Sequence, residues 1–147
     1  MDLPAGLRAR TVETDRIALH VYESGPEDGV PVVLLHGNLS TGRFYDQLML
    51  AAPDRYRLLA PDMRGFGRTE RTPIDATRGL DDWADDTSAL LDALGITRVG
   101  FVLPRQRAII QRDCAAFLQD LGATASLPEL RARFAAVVGA LPRSTQR

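Results

Sequence analysis

Lysine is absent: all 18 positively charged side chains are arginine. Exclusive use of arginine points to a GC-rich coding sequence as readily as to any function. Cysteine occurs once, at Cys114, so no disulfide closes within the chain. With two histidines, that single thiol also excludes a four-ligand zinc site made of His and Cys. No apolar run approaches the roughly 20 residues that a bilayer span needs. Met1 to Arg10 holds no apolar core of signal-peptide length. The net charge of -1 leaves no electrostatic footprint for nucleic acid or an anionic membrane. Phosphate loops and the dinucleotide fingerprint are missing, and Gly65-Phe66-Gly67 is too short a match, so no nucleotide cofactor is implied. The reading is of a cytoplasmic protein without metal, cofactor, membrane or nucleic-acid partner.

What is present suits one globular domain: 147 residues, 45% hydrophobic and 25% charged, long enough to bury a sizeable core. The charges are uneven. Residues 1–100 hold 11 Arg against 16 acids, and residues 101–147 hold 7 Arg against 3, so net charge passes from -5 to +4. A sign change of this kind marks a candidate boundary near residue 100.

Two short strands are expected at Arg10–Glu13 and Ile17–Glu23, with Asp15 and Arg16 near the turn. Val30–Leu35 is continuously apolar, as a strand buried on both faces of a parallel sheet reads. Arg43–Ala52 carries Phe44, Leu48 and Ala51 at helical spacing, and a second buried strand, Tyr56–Ala60, follows. After a polar loop from Met63 to Gly79, Leu80–Leu94 reads as a helix with Trp83, Thr87, Leu90, Leu91 and Leu94 on one stripe and Gly95 as its stop. Arg98–Val102 is a third buried strand. Alternating strands and helices with short connections predict an α/β fold with a mostly parallel sheet, to which the two N-terminal strands add an antiparallel edge. Beyond it, Ile110, Cys114, Phe117, Leu118 and Leu121 mark one amphipathic helix. Leu130, Phe134, Val137, Val138 and Leu141 mark another, opened by Ser126 and Glu129 as a capping box. No strand later than Val102 is evident.

Three features, in order, resemble the α/β-hydrolase superfamily, its esterase, epoxide-hydrolase and dehalogenase-like members above all. They are His36-Gly37-Asn38-Leu39, then Pro61-Asp62-Met63-Arg64-Gly65-Phe66-Gly67-Arg68-Thr69, then Asp82-Trp83-Ala84-Asp85-Asp86 leading to Leu91-Asp92-Ala93-Leu94-Gly95-Ile96. The resemblance covers about residues 11–102. It implies that a backbone N–H after His36-Gly37, that of Asn38 or Leu39, helps hold a developing oxyanion, a donor typically worth about 2.7–4 kcal/mol of transition-state stabilisation. The same residues also read as a tight strand exit. It further implies that Asp62, Arg64, Gly65 and Gly67 are architecture, the glycines giving a sharp path and the charged pair tying it down, with Thr69 in place of the family's Ser. The implied substrate is a small-molecule ester or a related compound.

The resemblance fails at the chemistry. The family's nucleophile sits in Gly-x-Ser-x-Gly after the next strand; here Leu103-Pro104-Arg105-Gln106-Arg107 follows, with Arg105 at the nucleophile's place. Arginine stays protonated and cannot attack. No aspartate stands there either, and no histidine follows His36 to act as general base. His20 reads as a structural histidine on an early strand, and Cys114 as an inert buried thiol. Residues 1–102 are therefore expected to be the N-terminal half of a hydrolase-like domain. Residues 103–147 are expected to be a helical segment replacing the nucleophile elbow and later strands. Two origins stay open for that segment: a frameshift or deletion in the coding sequence, or a genuine replacement. Turnover by the triad mechanism is not expected. The competing reading is a non-catalytic interaction protein, with a homodimer formed through the exposed strand edge or the helical segment.

Overall fold

The computed structural model describes residues 2–78, 80–102 and the backbone of 125–126. Six strands form one mixed sheet: β1 (Arg8–Val12), β2 (Leu19–Ser24), β3 (Val30–Leu34), β4 (Tyr56–Pro61), β5 (Arg98–Val102) and β6 (Ala125–Ser126), in the order β1-β2-β4-β3-β5-β6. β3 pairs in parallel with β4 and β5, with Val32 opposite Leu58 and Gly100. β1, β2 and β4 pair antiparallel. The α/β class read from the sequence, with its antiparallel N-terminal edge, is the fold observed.

The alternating pleat of β3 divides the core. Val32 and Leu34 join Tyr22, Leu58 and Ala60 on one face, packed under Tyr45, Leu48 and Met49 of the first helical segment. Val33 and Leu35 join Leu19, Val21 and Leu59 on the other, under Leu90 and Leu91 of the second. Both faces are covered, which is why Val32–Leu34 of β3 and Leu58–Ala60 of β4 are continuously rather than alternately apolar.

Several boundaries differ from the sequence expectation. β1 runs two residues further toward the N-terminus and stops at Val12, and β2 begins only at Leu19. The cause is Thr14: its hydroxyl accepts from the Arg16 and Ile17 amides and donates to Ile17 O, curling Ile17 out of the ladder. Arg43–Ala52 is not one helix but a 3₁₀ turn, Gly42–Tyr45, followed by α1 (Asp46–Ala51). The change of pitch rotates the stripe, so Tyr45, Leu48 and Met49 are buried while Phe44 and Ala51 are exposed. α2 (Asp81–Ala93) lies within one residue of the expected span. It ends in a Schellman motif, with Gly95 at φ +66°, Gly95 N–H on Asp92 O and Ile96 N–H on Leu91 O.

A strand later than Val102 does exist. β6 runs antiparallel to β5, with Arg98 opposite Ser126 and Val99 opposite Ala125. Ser126, read as a helix cap, is extended; a capping residue is extended too, so local sequence does not separate the two roles. The expected helices at Ile110–Leu121 and Leu130–Leu141, Cys114, and the Leu103–Arg107 run lie outside the described residues.

Candidate functional site

Because β3 and β4 are parallel neighbours, their C-terminal ends open on the same edge of the sheet, the edge at which α/β folds carry their ligand sites. The two loops leaving them hold every site residue singled out in the sequence, and His36 joins them. Its Nε2 accepts the Met63 N–H at 2.9 Å and its Nδ1 lies 2.8 Å from Gly37 O. A ring nitrogen that accepts carries no proton, so Nδ1 holds the hydrogen and donates to Gly37. Burial pushes the imidazole pKa below its ordinary value, against smaller opposing effects of the Gly37 hydrogen bond and the Asp62 carboxylate. His36 is thus a buried neutral ring, with the Phe66 ring set edge-on at 5.3 Å.

After His36 the chain turns outward. Asn38 is exposed, and its side-chain Oδ1 accepts the Leu39 N–H at 3.0 Å. Leu39 is 92% exposed and sits at φ +58°, a left-handed conformation that costs a non-glycine residue about 1–2 kcal/mol. Tyr45, which the sequence reading passed over in favour of Phe44, pins the root of this loop: its buried hydroxyl donates to Leu35 O at 2.7 Å, and burial raises its pKa. Only helical phase could have signalled it, and the 3₁₀ turn breaks that phase.

The second loop is closed on itself. Asp62 is fully buried; its Oδ1 accepts the Gly42 N–H at 2.7 Å, its Oδ2 accepts the Arg68 N–H at 2.8 Å, and its carbonyl accepts the Thr69 hydroxyl at 2.6 Å. Gly67, at φ +56°, passes so close that a Cβ there would lie 2.0 Å from Asp62 Oδ2. Gly65, at φ +83°, packs by Ile74. Arg64 grips Asp86 of α2 with two parallel hydrogen bonds of 2.7 Å, and Trp83 Nε1 donates to Arg64 O at 3.0 Å. Asp86 takes a second cation, Arg16, at 2.9 Å. The sequence could not pair Arg64 with Asp86, because 22 residues and a loop separate them.

His20 lies on β2, buried edge-on against Tyr22, with its backbone N–H on Thr69 Oγ1. Its Nε2 has no partner among the described residues, and burial lowers its pKa. It stands against the closed loop rather than the outward turn.

Residues 30–103 match the family model of the alpha/beta hydrolase fold. The chain is 40% identical over 88 residues to the cis-3-alkyl-4-alkyloxetan-2-one decarboxylase of Xanthomonas campestris, a match covering 55% of this chain and 29% of that protein. It is 38% identical over 98 residues to an epoxide hydrolase of Caballeronia sordidicola, covering 65% and 29%. An epoxide hydrolase structure from Vigna radiata superposes with a TM-score of 0.58 at 35% identity, over 65% of this chain and 31% of that one. A haloalkane dehalogenase structure from Agrobacterium tumefaciens does so at 0.59 and 29% identity, over 69% and 33%. The chain spans less than a third of the length of these curated relatives.

Proposed function

The chain belongs to the α/β-hydrolase family, and from that premise we propose that it carries the oxyanion-binding half of a hydrolase site without the nucleophile or general base. The lineage reaction is hydrolysis of an ester or related small molecule. Among the relatives, the epoxide hydrolase is named for a hydrolysis, whereas the others are named for decarboxylating an oxetan-2-one and dehalogenating a haloalkane. The observation that carries the reading is the run after β5: Val102 is followed by Leu103-Pro104-Arg105-Gln106-Arg107, in which no side chain can attack a carbonyl. The oxyanion donor is the Asn38 N–H, since Asn38 Oδ1 already takes that of Leu39. Asp62, Arg64, Gly65 and Gly67 shape the neighbouring wall. Work in the cytoplasm, with its lone thiol reduced, suits this composition.

A 4-nitrophenyl ester, a styrene oxide and a bromoalkane, each offered to the purified chain, test the reading together with a fluorophosphonate label. The expected result is no product above buffer and no covalent adduct; a stoichiometric burst or a single labelled serine would overturn it. A second reading, self-association, draws on β5. Among the described residues β6 covers its outer side only along Arg98–Val99, leaving Gly100–Val102 without a strand there. A concentration-dependent dimer in sedimentation supports that reading, and a monomer at all concentrations removes it.

A further inference from the structure

We propose that His36 is a positioning residue that sets the direction of the Asn38 N–H. The inference rests on the reading of Asn38 as oxyanion donor and adds what aims it. The Gly37 carbonyl and the Asn38 N–H belong to one peptide unit, planar and trans, in which the two bonds point in opposite directions. The His36 Nδ1–H holds that carbonyl at 2.8 Å. Fixing the oxygen therefore fixes the N–H on the opposite side, away from the imidazole.

The ring can do this because it is held itself. Its Nε2 takes the Met63 N–H at 2.9 Å, and the Met63 carbonyl takes the Phe66 N–H at 2.9 Å. Phe66 then lies edge-on to the imidazole. An unbroken series of hydrogen bonds runs from the closed loop, through the ring, to the Gly37–Asn38 peptide. Leu39 cannot substitute as donor, because its N–H is bonded to Asn38 Oδ1. The Asn38 N–H has no partner among the described residues, and an oxyanion donor fixed before any ligand arrives has no reorganisation to pay at the moment of reaction.

Amide relaxation on the ¹⁵N-labelled full chain tests this. In the parent, the Asn38 N–H is expected to be as rigid as strand amides such as Val33 and Leu59, with an order parameter near 0.85, and in His36→Phe to fall below about 0.6 while those strand amides stay rigid. His36→Gln, whose side-chain amide offers an acceptor and a donor at similar spacing, is expected to restore it. A rigid Asn38 in the Phe variant, or a mobile one in the parent, overturns the proposal.

Should the Phe variant lose its dispersed spectrum, acid titration of the parent decides. Protonated His36 turns a donor toward the Met63 N–H, with the Asp62 carboxylate as its charged neighbour. Met63 and Asn38 amides are then expected to shift with one midpoint, and an Asn38 amide that ignores the titration overturns the proposal. Methylphosphonate added to the parent separates the two claims. If that anion leaves the Asn38 amide unmoved, the oxyanion reading fails, while the aiming by His36 stands or falls on the relaxation data.

Discussion

The loops leaving β3 and β4 stand side by side and are built on opposite principles. In the loop from Asp62 to Thr69 the buried polar groups are committed: both carboxylate oxygens and the carbonyl of Asp62 are bonded, and Arg64 is held by both arms. Asn38 and Leu39 are exposed, Leu39 is left-handed, and the turn is held by two side-chain bonds, one from His36 to Gly37 O and one from the Leu39 N–H to Asn38 Oδ1. The Asp62 and Arg64 groups are used up within the fold, whereas an exposed, strained turn presents its backbone outward. Backbone strain tends to collect where function needs it.

This contrast can be broken by substitution. Asp86→Ala leaves Arg64 buried without its carboxylate, and a loss of about 3–5 kcal/mol in chemical denaturation is expected. A cost under about 1 kcal/mol, typical of exposed pairs, would mean that the closed loop is held elsewhere. Gly67→Ala adds a left-handed penalty to a Cβ that meets Asp62, for an expected loss of about 2–5 kcal/mol by the same measurement. If Gly67→Ala is neutral, the loop is looser than its hydrogen bonds imply.

Acid should strike at the junction of the two loops. His36 and His20 have pKa values lowered by burial, so the unfolded chain binds protons that the folded chain refuses. Stability is therefore whole above the ordinary imidazole value of 6.5 and declines as pH falls from there toward the folded values. His36→Gln is expected to flatten that decline in melting curves taken between neutral and mildly acid pH; an unchanged slope would assign it to His20 or other groups. The smallest effect has the opposite sign. Leu39→Gly relieves the left-handed strain at some cost in chain entropy, for a net gain of roughly 0.5–1 kcal/mol. A destabilised Leu39→Gly protein would mean that the outward turn is supported by contacts of the leucine side chain.

The strands were legible where burial on both faces writes an apolar run, as in Val32-Val33-Leu34 and Leu58-Leu59-Ala60. Gly95 was legible because a helix stop has its own chemistry. Tyr45 was not, since a 3₁₀ turn shifts the phase on which the reading depends, and neither was β6, whose two residues carry no period at all. His36 and Asn38 could be picked out by motif. What His36 bonds to could not, because its partner Met63 is fixed by the parallel pairing of β3 with β4 rather than by any local spacing.

The strand order also sets a sequence of events in folding. β3 follows β2 in the chain but lies one place away from it, and the vacancy between them is filled by β4. Until Pro61 has been synthesised, the β1–β2 hairpin and β3 each keep an unpaired side. β4 then closes both at once, through contacts as distant in sequence as Val21 and Pro61. Such a keystone joins two separate pieces of sheet in one closure, before the longer closure that brings β5 to the other side of β3. The nascent chain thus carries three unpaired inner strand sides just before its fourth strand arrives, and a single one, the β5 side of β3, once that strand is in place.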